Sequence, residues 1–418
     1  MRTGTQKHSK NVLVVGGGAS GLIAAIAAAR QGAKVTLIEK NRQAGKKLLM
    51  TGNGRCNFTN KNQELRYYRS SNPELIGPVL EAFPMEETVA FFEELGILVK
   101  DRGGYLYPNS GQAASIAGVL RLEVQRLSIK EAYNTEVLAV GKQKGYFQAE
   151  CEGWTYEGDA LVLACGSKAA PAAGASGDGY RFARSFGHTV VRPLPALTGL
   201  YASEKDCKTL AGVRTDARVT LLTDGKVCAV EEGEVQFASY GLSGIPVFQI
   251  SRFASRTLDE GGTCEVRLDV CPALTGQKLL QILSEENRRK HTDMRKNTDI
   301  LLGMFPEKLS QVLLGRAGIS GKKKGQEWTR EELERLVGQM KELTFQITGS
   351  RGYEQAQVCT GGVPLKELKG ISMESAAIPG LYLAGELLDV DGACGGYNLQ
   401  WAWSSGYLAG IHAAGGSR

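Results

Sequence analysis

The sequence predicts an α/β protein whose parallel-sheet domain is interrupted by an inserted second domain. Three observations predict it. First, Val12-Leu13-Val14-Val15 is an apolar strand pattern that runs into Gly16-x-Gly18-x-x-Gly21 and then an Ala-rich helical stretch, Leu22 to Arg30. Second, another apolar run, Lys34 to Ile38, ends at Glu39, 18 residues past Gly21. Third, glycine-rich apolar texture returns in Gly361 to Gly410, after a middle that is charged and mostly helical. Two sequential domains would not explain that return; one domain split by an insertion does.

The first two observations are the layout of a dinucleotide-binding βαβ unit, the Rossmann-like fold. Gly16 permits the tight turn, Gly18 lets the backbone approach a pyrophosphate, and Gly21 lets helix and strand pack closely. The helix start around Ala19 and Ser20 offers amides and a positive dipole end to phosphate. Glu39 can accept hydrogen bonds from both ribose hydroxyls of an adenosine. Beyond it, Gly45 to Asn57 has no clear period and reads as a loop able to wrap a phosphate or a flat ring. Leu75 to Leu95 reads as one or two amphipathic helices, and Ser115 to Leu127 as another. Short strands follow at Thr135 to Val140, Tyr146 to Cys151 and Leu161 to Leu163, the last entering Ala164-Cys165-Gly166-Ser167. A helix starts near Asp178, and His188 lies just past its end.

Arg192-Pro193-Leu194-Pro195 marks a boundary, because two prolines in four residues break either regular structure. Strand-like segments alternate with turns from Leu197 to Asp269, helices fill Thr275 to Lys341, and Phe345 to Gly349 returns to a strand. The domains so placed are 1–192 and 356–418 for the interrupted domain and 193–355 for the insertion. Within the insertion, 193–270 and 342–355 are β-rich and 271–341 helical. The insertion is expected to cap the cofactor and wall the substrate site.

Composition narrows the function classes. The chain has 418 residues, 42% hydrophobic and 22% charged, as in ordinary globular proteins. Net charge is +6, much of it in Arg288-Arg289-Lys290, Arg295-Lys296 and Lys322-Lys323-Lys324. Such runs are read as solvated faces, so no nucleic-acid partner is expected. The nine cysteines include no CxxC and no paired spacing with histidine, so neither structural zinc nor any other metal is expected. The scatter suits reduced thiols and a cytoplasmic location. No apolar run reaches membrane-spanning length, and the polar, basic Met1 to Lys10 is not a secretory signal. The oligomeric state is not legible.

The nature of the cofactor follows from later motifs. Leu161 to Gly166 has the shape of the strand-then-glycine element that FAD-binding proteins carry after a small β-meander. Pro379 to Glu386 has the shape of their late strand, ending in Gly385 and an acid, Glu386, for the ribityl chain. Asp389 to Asn398 then leads into a helix starting near Leu399, with the amides of Gly395, Gly396 and Tyr397 at its N-terminus. A helix N-terminus aimed at the flavin N1 and C2 oxygen stabilises reduced, anionic flavin by up to about 2 kcal/mol.

With these segments in view, the chain resembles a family of bacterial NAD(P)/FAD-dependent oxidoreductase flavoproteins that includes aminoacetone-oxidase-like and bile-acid-inducible (BaiN-like) members. The matching motifs are Lys46 to Asn60, Gly177 to Tyr180, Tyr240-Gly-Leu-Ser-Gly244 and Glu386 to Trp401, spread over nearly the whole chain. The resemblance implies a glutathione-reductase-type FAD domain with an inserted β-barrel-like domain and helical subdomain. It implies FAD held by Gly16, Gly18, Ala19, Ser20, Gly21, Glu39 and Lys40; by Asn53, Gly54, Arg55, Cys56 and Asn57; by Val137, Ala164, Cys165 and Gly166; and by Gly385, Glu386, Asp391, Gly396, Tyr397 and Asn398. Cys165 stands where the family often has Thr, which puts any hydroxyl hydrogen bond there in doubt.

Three functions are compatible with these features. The leading one is an NADH- or NADPH-dependent reductase of a small organic acceptor such as the C=C of a steroid-like enone. Tyr240 and Ser243 are its candidate proton donors, although a Tyr satisfying a backbone carbonyl is the simpler reading. The second is an amine oxidase using oxygen, favoured by the lack of a second GxGxxG-type fold. The third is a flavin-containing nucleic-acid-binding factor. Cys56, Cys165 and Cys394 have no neighbouring cysteine and read as small packed residues, and Trp401 and Trp403 read as core.

Overall fold

The computed structural model describes residues 9–289, 297–320 and 328–417. Met1 to His8 and the basic residues Lys290, Arg295, Lys296 and Lys322 to Lys324 lie outside the described residues, as do the side chains of Arg288 and Arg289. The chain divides into two compact units, residues 1–194 with 358–418, and residues 195–357. These limits fall two residues beyond the 192/193 and 355/356 junctions read from the sequence.

The first unit is built on a five-stranded, wholly parallel sheet. Its order is Leu381–Leu383, Ala160–Leu163, Asn11–Val15, Lys34–Ile38, Lys130–Ala132. All strands of the sheet but the edge strand Lys130–Ala132 are mostly apolar, as a sheet covered on both faces requires. The chain builds outward from Asn11–Val15 to one side and later returns to the other. The switch point therefore lies at the carboxyl ends of Asn11–Val15 and Ala160–Leu163, where such sheets bind ligands. The helix Ala19–Arg30 is buried along nearly its whole length. It packs directly on the C-terminal helix Tyr397–Ala413. A Cβ on Gly406 would fall 2.4 Å from the Ser20 carbonyl oxygen, and one on Gly410 2.2 Å from that of Ala24. These two glycines, one helical turn apart, set the depth of that contact.

The stretch Leu75 to Leu95 forms two helices, Ile76–Ala82 and Met85–Glu94, separated by Phe83 and Pro84. The meander has three strands, Val137–Gln143, Tyr146–Cys151 and Trp154–Gly158, one more than the sequence pattern suggested. A smaller antiparallel sheet orders Thr59–Asn60, Tyr105–Pro108 and Val99–Arg102.

The second unit is a closed six-stranded barrel with a helical subdomain. Its strands run Leu200–Ala202, Gly241–Ser243, Lys226–Ala238, Arg214–Thr223, Cys264–Asp269, Leu343–Ser350 and back to the first. Ala217, Val219 and Leu221 alternate inward, as a half-buried strand demands. One expectation is corrected here. Ile245–Asp259, read as part of an all-strand region, is a 15-residue helix. Its β-branched and aromatic start looks like a strand, but Pro246 occupies the first helical turn, where proline is favoured. Val247, Ile250 and Ala254 are fully buried at helical spacing. Among the described residues of the stretch 275–341, helices cover Gly276–Arg289, Asn297–Ile300, Glu307–Arg316 and Arg330–Lys341, and Thr329 and Glu332 form a reciprocal capping box at the last.

Candidate functional site

The site grows from the carboxyl ends of the parallel strands. Val15 delivers Gly16, whose φ of +105° only glycine tolerates well; a Cβ there would also meet the Ala164 oxygen at 2.4 Å. A Cβ on Gly21 would fall 1.8 Å from the Gly16 oxygen, so helix and turn touch backbone to backbone. Gly18 differs: nothing lies within 4 Å of its missing Cβ. It caps the helix Ala19–Arg30 in extended conformation without a side-chain cap. The first helical hydrogen bond runs from Leu22 N to Gly18 O at 2.9 Å, so the amides of Ala19, Ser20 and Gly21 have no carbonyl in the helix.

Ile38 delivers Glu39, which is 9% exposed. Its Oε2 accepts from Gly17 N at 2.7 Å; its Oε1 accepts from Asn41 N at 2.8 Å and Asn41 Nδ2 at 2.6 Å. The carboxylate is thus fixed against the glycine turn. Lys40 is turned to Ser176 and Asp178, the latter 3.4 Å away. Leu163 delivers Ala164, Cys165 and Gly166. The Cys165 thiol donates to the Val15 oxygen at 3.4 Å, and burial pushes it up to about 12. Val137 opens the first meander strand opposite Cys151 and is buried.

The loop Leu48–Gly54 is 3₁₀-like and kinked, with Gly52 and Asn53 left-handed at φ +55° and +53°. Gly54 and Arg55 are exposed, whereas Cys56 is buried and its thiol is pushed up to about 11. A thiol so raised is protonated at neutral pH and is a poor nucleophile. Asn57 carries a buried Oδ1 with no hydrogen-bond partner among the described residues. A buried amide oxygen left so costs about 1–3 kcal/mol, which a donor on a ligand would recover.

Leu383 delivers Gly385 and Glu386. Glu386 Oε2 pairs with Lys47 Nζ at 2.7 Å, while its Oε1 accepts from Ser167 Oγ at 2.6 Å and Cys359 N at 3.1 Å. Loops 339 residues apart in sequence are thereby joined. The C-terminal helix begins at Tyr397, two residues before the expected start, with Gly396 left-handed ahead of it. A Cβ on Gly396 would fall 2.7 Å from the Thr59 backbone, so this helix start abuts the loop that holds Asn57. The Asn398 side chain is committed to the chain itself: its Nδ2 donates to Gly392 O and its Oδ1 accepts from Gly392 N, both at 2.8 Å. It therefore shapes the loop around the buried Asp391. Trp401 and Trp403 are core, and each donates its indole N–H to a loop carbonyl, Gly385 at 3.2 Å and Phe58 at 2.9 Å.

The residues expected to hold a cofactor therefore all lie in the first unit, on its glycine turns and strand ends. Tyr240 and Ser243 lie in the second unit. Tyr240 sits at the turn before Gly241–Ser243, with Arg351 over its ring at 4.7 Å and Tyr201 edge-on at 5.5 Å. Sequence reasoning missed Lys47, although it lies inside the Lys46 to Asn60 motif. It also missed a Ser–His–Glu row: His188 Nε2 meets Ser375 Oγ at 2.9 Å and its Nδ1 meets Glu367 at 2.7 Å. Ser375 is fully buried, so this row braces the unit and reaches no substrate. Among the described residues no group of acids, histidines and cysteines could hold a metal, and no helix is long and apolar enough to cross a membrane.

The site fits a dinucleotide. Open space faces Gly18, first-turn amides without a helical carbonyl follow it, Glu39 is anchored beside it, and Asn57 presents a buried acceptor.

Known proteins agree with this architecture. Residues 10–412 match the family model described as HI0933-like protein Rossmann domain. A 3-dehydro-bile acid delta(4,6)-reductase of Clostridium scindens is 42% identical over 406 residues, which are 96% of this chain and 98% of that protein. A ribosomal RNA dihydrouridine synthase of Escherichia coli is 31% identical over 404 residues, 95% of this chain and 96% of that protein. One of Haemophilus influenzae is 30% identical over 412 residues, 97% and 98% of the two chains. The reductase among these relatives places the chain with the oxidoreductases. It belongs to the HI0933-like Rossmann-domain family.

Proposed function

We propose that the protein binds FAD in its first unit and reduces a C=C bond conjugated to a carbonyl in a small organic acceptor. The observation that carries this reading is the convergence, at the carboxyl end of the parallel sheet, of the Gly18 helix start, anchored Glu39, the unpartnered Asn57 oxygen and the Glu386–Lys47 pair. When bound, FAD supplies hydride transfer. The amides of Gly18, Ala19 and Ser20 hold the diphosphate, and Glu39 accepts the ribose hydroxyls through its remaining lone pairs. Glu386, paired with Lys47, accepts from the ribityl chain. Asn57 accepts from the ring system, and the Gly396 helix start sets a positive dipole end near it. NADH or NADPH serves as transient donor.

The chemistry named in the relatives supports the reaction class. A bile-acid 4,6-diene conjugated to a 3-ketone and the C5=C6 bond of uracil are both double bonds activated by a carbonyl. A steroid-like enone is the acceptor favoured by the 42% identical relative. A second reading, uracil within RNA, is favoured by the two dihydrouridine synthases aligned over 95% and 97% of this chain. Product analysis tests both. The FAD-loaded enzyme with NADH or NADPH is given a 4-en-3-one steroid, a uridine-containing RNA or an aliphatic amine. Saturation of a conjugated C=C supports the reading; peroxide formed only with the amine would replace it with an oxidase.

A further inference from the structure

The first unit carries, beside its cofactor loops, a patch where two tyrosines on one strand face two exposed cations on the next. In the hairpin Val99–Arg102/Tyr105–Pro108, Lys100 pairs directly with Tyr107 and Arg102 with Tyr105. Directly opposed residues of an antiparallel pair share a face, so these four side chains stand together. Asp101, the hairpin's acid, alternates onto the other face with buried Leu106 and is paired there with Lys61 at 2.7 Å. Tyr105 is 44% exposed, and Lys100 and Arg102 are exposed. The Arg102 guanidinium lies over the Tyr107 ring, 5.4 Å from its centroid. Next to the hairpin, a Cβ on Gly395 would touch the Tyr105 ring at 2.7 Å, so the platform adjoins the turn into the C-terminal helix. Tyr67 extends it by stacking on Tyr397, centroids 4.8 Å apart.

We infer that this face is a platform for an unpaired RNA strand, with bases stacked on Tyr105 and Tyr107 and phosphates met by Lys100 and Arg102. The inference rests on the second reading above, and it departs from the sequence expectation of no nucleic-acid partner. A row of rings beside a row of cations matches the bases and phosphates that run side by side along a single strand. A duplex would offer the phosphates but keep its base faces stacked inside. A neutral enone would use the rings and leave both cations without a counter-charge.

The test is fluorescence anisotropy of the full-length, FAD-loaded protein with labelled decauridylate, at low and physiological salt. Tyr105→Ala and Tyr107→Ala should each weaken binding about tenfold, whereas Tyr107→Phe retains it within about twofold, because stacking needs the ring alone. Arg102→Ala should weaken binding and flatten its salt dependence by about one phosphate contact. An RNA duplex of the same length should bind more weakly. Absorbance of bound flavin near 450 nm reports that each variant is folded, and exposed Arg102→Ala carries the test if a Tyr variant fails that check. Equal affinity for duplex, or Ala variants that bind like the parent, would overturn the platform, as would displacement of the oligonucleotide by a steroid enone in a manner indifferent to Arg102. RNA held through these rings without dihydrouracil formation removes the second reading and leaves the platform. Dihydrouracil formed equally well by Tyr107→Ala removes the platform and leaves that reading.

Discussion

Glu39 shows how a single carboxylate can be legible in sequence while its surroundings are not. Its distance from Gly21 and its place after an apolar run mark the end of a second strand. That Gly17 and Asn41 donate to its oxygens could not be read, because the bonds depend on the path of the turn. Glu39→Ala removes an acceptor for the Gly17 amide and for a ribose. It should weaken FAD retention about tenfold or more, each lost bond to a charged group being worth about 1.5–3 kcal/mol. Equilibrium titration followed at 450 nm checks this; unchanged affinity would contradict the ribose assignment. Asn57 could be placed in a loop motif, but its lack of a partner is a property of the folded surroundings. Lys47 was overlooked because an ion pair to Glu386 spans nearly the whole chain.

At the scale of elements, glycine spacing carries most of the information. Gly16, Gly18 and Gly21 are readable because a known turn demands them. Gly406 and Gly410 are not, because their need arises only where two helices meet. Gly21→Ala must force a Cβ toward the Gly16 oxygen, 1.8 Å away, and should destabilise the protein by about 3 kcal/mol or more. Gly118→Ala, in a helix with nothing within 4 Å, should instead stabilise by about 0.5–1 kcal/mol. Urea unfolding monitored by circular dichroism separates the two signs. The helix Ile245–Asp259 eluded pattern reading since its apolar residues follow both periods at its start, and only burial at 247, 250 and 254 decides.

Helix Ala113–Arg126 is tied to Ala19–Arg30 by Glu123, whose side chain is 4% exposed. Arg126 donates to it at 2.6 and 2.8 Å, and Arg30 at 2.7 and 3.0 Å. The Arg126 hydrogen bonds, then those of Arg30, hold this carboxyl below its ordinary 4.5 against the opposing effect of burial. A depressed folded-state value means stability that is present above pH 4.5 and lost as pH falls through the folded value. Chemical unfolding at pH 7 and at successive acid steps should show that loss, and Glu123→Gln should be less stable at pH 7 yet flatter below pH 4.5. Equal acid slopes would show that Glu123 is not part of the transition.

At the scale of the whole molecule, the split domain was readable because chemistry repeats: glycine-rich strand ends occur both before Pro193 and again after Gln357. The barrel was less readable. Its strand pattern mixes with helix 245–259, and closure depends on pairing of Leu200–Ala202 with Leu343–Ser350, about 140 residues later. The substrate was not legible at all, because it is set by side chains that meet only in three dimensions. The central claim, a flavin in the first unit that serves a conjugated double bond, is tested most directly by an oxygen-free stopped-flow experiment. The FAD-loaded enzyme is bleached near 450 nm with NADH or NADPH and then mixed with a steroid enone, a uridine-containing RNA or a saturated ketone. The account predicts that absorbance returns with one of the two conjugated acceptors and not with the saturated ketone. Absorbance that returns only when oxygen is admitted would contradict it.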